Sequence, residues 1–184
     1  MQEIIQDAEQ KMKGAIEHAR DEFGAIRTGR AHPAMFNKLT VDYYGAPTPL
    51  QQLATFQVPE ARTVLISPFD RGSMAGIEKA IRDSDLGVNP SNDGNVIRIV
   101  MPQLTQERRR DYVKMSKQKA EEAKVSVRNI RRHANDSVHK LLKDKEIGED
   151  DARQAEKQLD GTTKKYVDQV DELLKAKEAE LLEV

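Results

Sequence analysis

Apolar residues recur at steps of three and four along three long parts of the chain, which predicts three amphipathic helices. The first part covers residues 3–27, the second residues 105–146, and the third follows Gly148. Gly29 and Gly148 are predicted to end the first two helices in the left-handed conformation that glycine adopts freely. Each apolar stripe is narrow, so each helix must bury its stripe against the others. We therefore predict an antiparallel three-helix bundle.

Between the first two helices the pattern changes to one typical of a small β-rich domain. Apolar and polar residues alternate around Val41, and six of the seven prolines lie between Pro33 and Pro90. The predicted fold class is therefore α+β, mainly α, in which the bundle carries an inserted small β/α/β domain. Short strands are predicted at residues 39–43, 53–58, 63–67 and 96–100, with a short helix at 74–83.

This change of pattern also sets the predicted domain bounds. Residues 1–29 and 105–184 form the bundle, and residues 30–104 form the inserted domain. Two short connections, residues 28–33 and 101–105, have no obvious apolar content, which favours a hinge over a fused interface. The predicted hinge residues are Thr28, Gly29, Arg30, Pro102, Gln103 and Leu104.

The net charge of −1 conceals a strong asymmetry. Residues 105–147 hold 13 Lys and Arg against 7 Asp and Glu, whereas residues 148–184 hold 6 against 11. One predicted helix is therefore basic in an otherwise acidic molecule. A polyanionic partner for that helix would account for this asymmetry, and so would pairing of opposite charges between neighbouring helices.

A basic stripe runs beside the apolar stripe of the second helix. Lys124, Arg128, Arg131 and Asn135 share one helical face, and Arg132 widens it. Arginine suits bidentate phosphate contacts, and few acids lie within reach along the same helix. We therefore favour RNA or another polyanion over a solvated face whose arginines pair with acids of the next helix. Because no aromatic residues are interleaved, phosphates of a structured RNA fit better than stacked single-stranded bases.

Motifs for catalysis, metals and membranes are lacking in the sequence. It has no cysteine, no histidine pair with metal-ligand spacing, and no glycine-rich phosphate loop. It also has no signal peptide at residues 1–13 and no apolar run long enough to span a membrane. We therefore expect a cytoplasmic monomer that is not an enzyme and needs no cofactor or metal. A helical adaptor that binds another protein through its bundle remains the alternative.

Four blocks of sequence then identify a family. They are Arg27-Thr28-Gly29-Arg30-Ala31, Pro59-Glu60-Ala61-Arg62-Thr63, Ser84-Asp85-Leu86-Gly87-Val88-Asn89-Pro90, and Leu104-Thr105-Gln106-Glu107-Arg108-Arg109 with Val127-Arg128-Asn129-Ile130-Arg131-Arg132. With these blocks in this order, the chain resembles the bacterial ribosome recycling factors over essentially its whole length. Two residues depart from the family pattern. His133 stands where an acidic residue is usual, which makes the face more basic, and His32 replaces a small residue before Pro33.

The resemblance implies an L-shaped, tRNA-sized translation factor. With elongation factor G and GTP, such a factor dissociates the post-termination ribosome into subunits. The inserted domain is expected to move about the hinge when elongation factor G pushes it. The bundle is expected to bind ribosomal RNA of the large subunit through Arg128, Arg131 and Arg132, with Arg109 and Arg27 in support.

Overall fold

The computed structural model describes residues 1–26 and 28–183, and the chain divides into two compact units. Unit 1 comprises Met1–Arg27 and Gln106–Val184, and unit 2 comprises Thr28–Thr105. The helices in the described residues are α1 (Gln2–Gly24), α2 (Met74–Arg82), α3 (Gln106–Lys143) and α4 (Glu149–Leu182). The strands there are β1 (Thr40–Tyr43), β2 (Ala46–Pro49), β3 (Ala54–Glu60), β4 (Thr63–Pro68), β5 (Ser91–Asn92) and β6 (Ile97–Val100).

Unit 1 is an antiparallel bundle of α1, α3 and α4. α3 runs opposite to α4, since Lys124 pairs with Asp171 and Arg131, further along α3, pairs with the earlier Asp160. Side chains in the core are mostly small, so the helix backbones can approach closely. One buried cluster joins all three helices through Ile5, Ala8, Ala134, Val138, Ala152, Ala155 and Leu159.

Two predicted helix ends are wrong by three residues. α1 ends at Gly24, and Gly29 takes its left-handed φ of +76° only beyond that end. α3 ends at Lys143, and Lys145 rather than Gly148 takes the left-handed position, with a φ of +58°.

The end of α3 is set by hydrogen bonds rather than by the glycine. The Lys145 N–H donates to the Leu142 carbonyl and the Glu146 N–H to the Leu141 carbonyl, the two bonds of a Schellman motif. Ile147 packs against the bundle core and draws the chain back towards α4. These contacts offset the roughly 1 kcal/mol that a left-handed lysine costs.

Unit 2 contains an antiparallel sheet in the order β3-β4-β6-β5 and a separate hairpin of β1 and β2. In β6, Ile97 and Ile99 are buried, whereas Arg98 and Val100 are exposed. This alternation is typical of a strand that buries one face only. α2 contributes the buried Ile77 to the same apolar core. The predicted fold class is confirmed: a mainly helical α+β protein in which a bundle carries an inserted β/α/β unit.

The hairpin contains a strand, β2, that the sequence pattern did not predict. Its turn lies at Tyr44 and Gly45, which both have positive φ. Pro47 and Pro49 made the sequence look unlike a strand, because proline lacks the N–H that a central strand needs. β2 tolerates both prolines because it pairs with β1 alone.

Candidate nucleic-acid interface

The arginine face, defined as Arg128, Arg131 and Arg132, lies near the middle of α3. It is held in place by the adjacent apolar stripe, where Val127 and Ala134 are buried in the bundle core. Arg128 and Arg132 are exposed, whereas Arg131 is half-buried. The pattern of an apolar stripe beside a basic stripe is therefore present in the folded chain.

Arg131 does have an acidic partner, and α4 supplies it. Its Nη1 donates to Oδ1 of Asp160 over 3.1 Å, while its Nε is buried and has no hydrogen-bond partner. The interpretation that arginines pair with acids of the next helix, which we ranked second, thus applies to this one arginine.

Arg128 and Arg132 differ from Arg131. No carboxylate pairs with either of them among the described residues. Arg132 donates only to the Asn129 side chain on its own helix, over 3.3 Å. These two guanidinium groups therefore remain available to an anionic partner.

The outer members of the predicted basic stripe are not available in the same way. Lys124 keeps only 15% of its side chain exposed and pairs with Asp171, whose hydrogen bond raises the lysine pKa. Asn135 has a buried Oδ1 without a partner. His133 is exposed but lies about 140° around the helix from Arg128, so it does not extend the arginine face as expected.

Arg109 belongs to a second basic region, a groove of about 530 Å³ beside the first turns of α3. Its Nε, like that of Arg131, is buried without a partner. The basic run Arg108-Arg109-Arg110 supplies two of the groove's arginines, and Arg110 lies about five helical turns before Arg128 and so on the same face. The groove is lined by Gln106, Arg109, Arg110, Val113, Lys114, Lys117 and Leu182.

Arg27, the other supporting candidate, lies outside the described residues. The structure therefore places four of the five predicted RNA-binding arginines on α3, and it brings three of them together near the middle of that helix.

The two connections of unit 2 are anchored at one turn. The Ala31 N–H donates to the Ala61 carbonyl and the Met101 N–H to the Arg62 carbonyl, both over 2.7 Å. The side chains of Ala31 and Met101 are buried in the core of unit 2. Residues 28–30 and 102–105 thus lie outside these anchors, and they include all six predicted hinge residues.

Within these connections a glycine and local hydrogen bonds set the path of the chain. Gly29 needs its positive φ of +76°, and a Cβ there would come within 3.4 Å of Leu104. Thr28 Oγ1 accepts the Arg30 N–H over 3.4 Å, and Pro102 and Gln103 are exposed. Just past the hinge, the His32 side chain accepts the Ala34 N–H and caps the turn at Pro33–Phe36.

Other chemistry finds little support in the part of the chain that is described. Its histidine, aspartate and glutamate side chains form no cluster that could hold a metal ion. No helix within residues 1–26 and 28–183 is long and apolar enough to cross a membrane.

Comparisons with known proteins give one consistent answer. The sequence profile of the ribosome recycling factor family matches residues 19–182. The chain is 68% identical to the ribosome-recycling factor of Cutibacterium acnes, with 100% of both chains covered. It is 63% identical to that of Streptomyces avermitilis over the same share of each chain. The resemblance drawn from the sequence blocks is confirmed.

Solved structures agree with these relatives. The solution structure of a ribosome recycling factor is 40% identical, with a TM-score of 0.82 and 100% of this chain and 97% of that one covered. A second is a T. thermophilus ribosome recycling factor, described with E. coli elongation factor G bound to the E. coli post-termination complex. It is 42% identical with a TM-score of 0.69, and the match covers 99% and 98% of the two chains.

Proposed function

The chain belongs to the ribosome recycling factor family, and from this premise we propose that it splits post-termination ribosomes into subunits together with elongation factor G and GTP. Unit 1 anchors the protein to ribosomal RNA of the large subunit through the arginine face. Unit 2 transmits the movement of elongation factor G by turning about the connections at residues 28–30 and 102–105. The protein acts in the cytoplasm as a monomer, and it catalyses no reaction of its own.

The observation that carries the RNA-binding role is the unpaired state of Arg128 and Arg132. Two carboxylates of α4 already pair with cations of α3, since Asp171 pairs with Lys124 and Asp160 with Arg131. A third, Glu156, is in hydrogen-bond contact with His139. Arg128 and Arg132 are left without an acid on an exposed face. Each of these two forked guanidinium groups can bind a phosphate bidentately, and both lie on one exposed helix face.

The anchored connections support the lever role. Each connection is short, because Ala31 and Met101, which bond to the turn at residues 61–62, lie within a few residues of the ends of unit 2. Few loop residues that absorb a change in φ and ψ are sufficient for a hinge. The relative described with elongation factor G bound to a post-termination complex supports that factor as the partner.

The test of this function is sedimentation of post-termination ribosomes with the protein, elongation factor G and GTP. We expect separated subunits only in the complete mixture and intact ribosomes when any one component is omitted. Subunits that appear without elongation factor G would contradict the lever. Ribosomes that neither split nor bind the protein would contradict the whole proposal.

The arginine face has its own test. In the double variant with Arg128→Ala and Arg132→Ala, we expect each lost contact to cost about 1.5–3 kcal/mol of binding, the range for hydrogen bonds to charged groups. The slope of log affinity against log salt should fall by about 0.9 per lost phosphate contact. Arg153→Ala is the matched control, because Arg153 is exposed on α4 and pairs with Glu149.

The helical adaptor gives the opposite result in the same measurement. Binding through an apolar surface of the bundle would be insensitive to salt, and the two arginine substitutions would leave it unchanged. Equal affinities of the double variant and Arg153→Ala for large ribosomal subunits would favour the adaptor.

A further inference from the structure

The ion pair between Arg131 and Asp160 occupies the arginine at the edge of the arginine face that adjoins the bundle core. Nη1 of Arg131 is 3.1 Å from Oδ1 of Asp160, and 61% of the Asp160 side chain is exposed. The pair therefore lies at the surface, where a phosphate group could approach the same guanidinium.

A guanidinium group binds a phosphate bidentately through one of two edges, Nη1 with Nη2 or Nε with Nη2. In Arg131 the Nε is buried, so the second edge is closed. Nη1 already donates to Asp160, so a phosphate that binds the first edge competes with that carboxylate for Nη1. Arg131 can offer a phosphate the whole Nη1 and Nη2 edge without a neighbouring carboxylate only after it leaves Asp160.

A second observation concerns the buried atoms beside this pair. Nε of Arg131, a donor, and Oδ1 of Asn135, an acceptor, are both buried without a hydrogen-bond partner. The two residues lie one helical turn apart on α3, where side chains are neighbours. Buried polar atoms are nearly always satisfied, and these two have complementary roles. A rotation of Arg131 away from Asp160 that joins Nε to Asn135 would satisfy both.

Resting on the RNA-binding role proposed above, we infer that Asp160 is an internal competitor for Arg131 that lowers the affinity of this protein for ribosomal RNA. In the free protein the carboxylate holds the guanidinium. In the bound protein a phosphate of the RNA takes the place of the carboxylate, and Asn135 holds Nε. Each binding event therefore breaks one ion pair, and each release restores it, which favours departure of the factor.

The test is the dissociation constant for purified large ribosomal subunits, measured at several salt concentrations for the wild type and Asp160→Asn. We expect Asp160→Asn to bind about threefold to tenfold more tightly at low salt, since one carboxylate near the phosphate is removed. Its salt slope should be steeper by up to about one released ion, because Arg131 becomes fully available. Unchanged or weaker binding would overturn the inference.

Three further variants make the result specific. Asp168→Asn removes an equally exposed carboxylate from α4 that pairs with Lys164 on the same helix, and should bind as the wild type does. Asp160→Glu keeps the charge and should also bind as the wild type does. In a background of Arg131→Ala, the gain from Asp160→Asn should fall below about half, because the competition no longer exists. A full gain in that background would overturn the competition for Arg131.

Failure of the inference and failure of the proposed function give different results. Wild-type protein that binds with a steep salt dependence, together with no gain in Asp160→Asn, overturns only the role of Asp160. Wild-type protein that does not bind large subunits overturns the RNA-binding role itself. A thermal unfolding midpoint of Asp160→Asn close to that of the wild type confirms that the comparison concerns binding, since an exposed ion pair contributes little stability.

Discussion

Unit 1 and unit 2 bury their apolar surface in different ways. The bundle core of unit 1 relies on alanines that let long helices approach, with larger side chains spaced far apart along them. The core of unit 2 is a compact cluster of large side chains around one helix and one sheet. Its fully buried members include Phe36, Val41, Leu50, Val64, Ile66, Ile77, Ile81, Ile97 and Ile99. Loss of one large side chain should therefore damage unit 2 more than loss of one alanine damages unit 1.

The charge of α3 also differs from that of unit 2. α3 carries 12 Lys and Arg against 5 Asp and Glu, whereas unit 2 carries 7 of each sign. A face with one dominant sign attracts a polyanion, and a mixed surface does not. The charge of α3 therefore suits a polyanionic partner, and that of unit 2 suits a partner that is not a polyanion.

One corner of unit 2 fits that description. Tyr44 and Phe69 are 83% and 69% exposed. Asp70 accepts hydrogen bonds from the hydroxyls of Tyr43 and Tyr44 and from the Gly72 N–H, which together hold the pKa of this carboxyl below its usual value. The Tyr44 ring is thus held in place at an exposed position. Rigid exposed aromatic side chains are typical anchors of protein–protein interfaces.

The largest expected difference between the two units follows from removing one large side chain from the core of unit 2. Phe36 is fully buried and stacks on Phe56, with 5.6 Å between ring centroids. Phe36→Ala should destabilise unit 2 by about 3–5 kcal/mol. We expect loss of ribosome splitting with ribosome binding retained, measured by sedimentation, and loss of the near-ultraviolet dichroism of unit 2.

Val100→Ala is the control for that substitution. Val100 lies on the exposed face of β6 in the same unit, so its loss should change stability by no more than about 0.5 kcal/mol. If Phe36→Ala lost ribosome binding as completely as ribosome splitting, ribosome binding by unit 1 would depend on an intact unit 2. The two units would then not act independently.

A smaller effect is expected at the connections. Gln103 is exposed, and substitution by proline after Pro102 would restrict two successive φ angles in one connection. Gln103→Pro should slow ribosome splitting about tenfold if the barrier rises by about 1.4 kcal/mol, and should leave ribosome affinity unchanged. Splitting rates at saturating elongation factor G, beside dissociation constants for ribosomes, check this. Equal losses in both measurements would argue against a hinge.

The smallest effect concerns the one buried lysine in the described part of unit 1. The Lys177 side chain is only 9% exposed, and burial lowers its pKa below 10.5, while Glu180 at 3.5 Å partly opposes that shift. Lys177→Met should stabilise the protein by about 1 kcal/mol, because a thioether chain of similar volume needs no desolvated charge. The unfolding temperature should rise by about 2–4 °C.

The lowered pKa also predicts how the stability difference between the wild type and Lys177→Met changes with pH. Because the pKa is lower in the folded protein, the cost of the buried charge is present below the folded pKa. It disappears as the pH rises through that value towards 10.5. Wild-type stability should therefore approach that of Lys177→Met as the pH rises. A gap between the two proteins that stays constant up to pH 10.5 would contradict the buried charge.

The sequence predicted the helices well because their signal is long and periodic. The stripe from Ala120 to Val138 is buried as expected, and the predicted strand at residues 96–100 forms with its alternation intact. The end of α3 and the turn between β1 and β2 depend on local backbone geometry, which the apolar pattern does not reveal. Lys145 ended α3 before the glycine did, and a turn at Tyr44 and Gly45 produced a strand containing two prolines.

The sequence predicted where the arginine face lies, but not which acid pairs with which arginine. The spacing of Arg128, Arg131 and Arg132 placed them together, because a helix repeats every 3.6 residues. The carboxylate that meets Arg131 comes from α4, 29 residues away in the chain. Which acid faces which arginine depends on the register between two helices, and no pattern within either helix determines that register.

The turn that anchors both connections also has a consequence for the ancestry of the chain. Because Ala31 and Met101 bond to the adjacent residues Ala61 and Arg62, the chain enters and leaves unit 2 at one place. A segment whose ends meet can be added to or removed from a host fold without stretching the host. Unit 2 therefore meets the geometric condition for a segment that can be inserted into a host fold or replaced in it. A homologue could exchange it for another module while the helices of unit 1 keep their own packing.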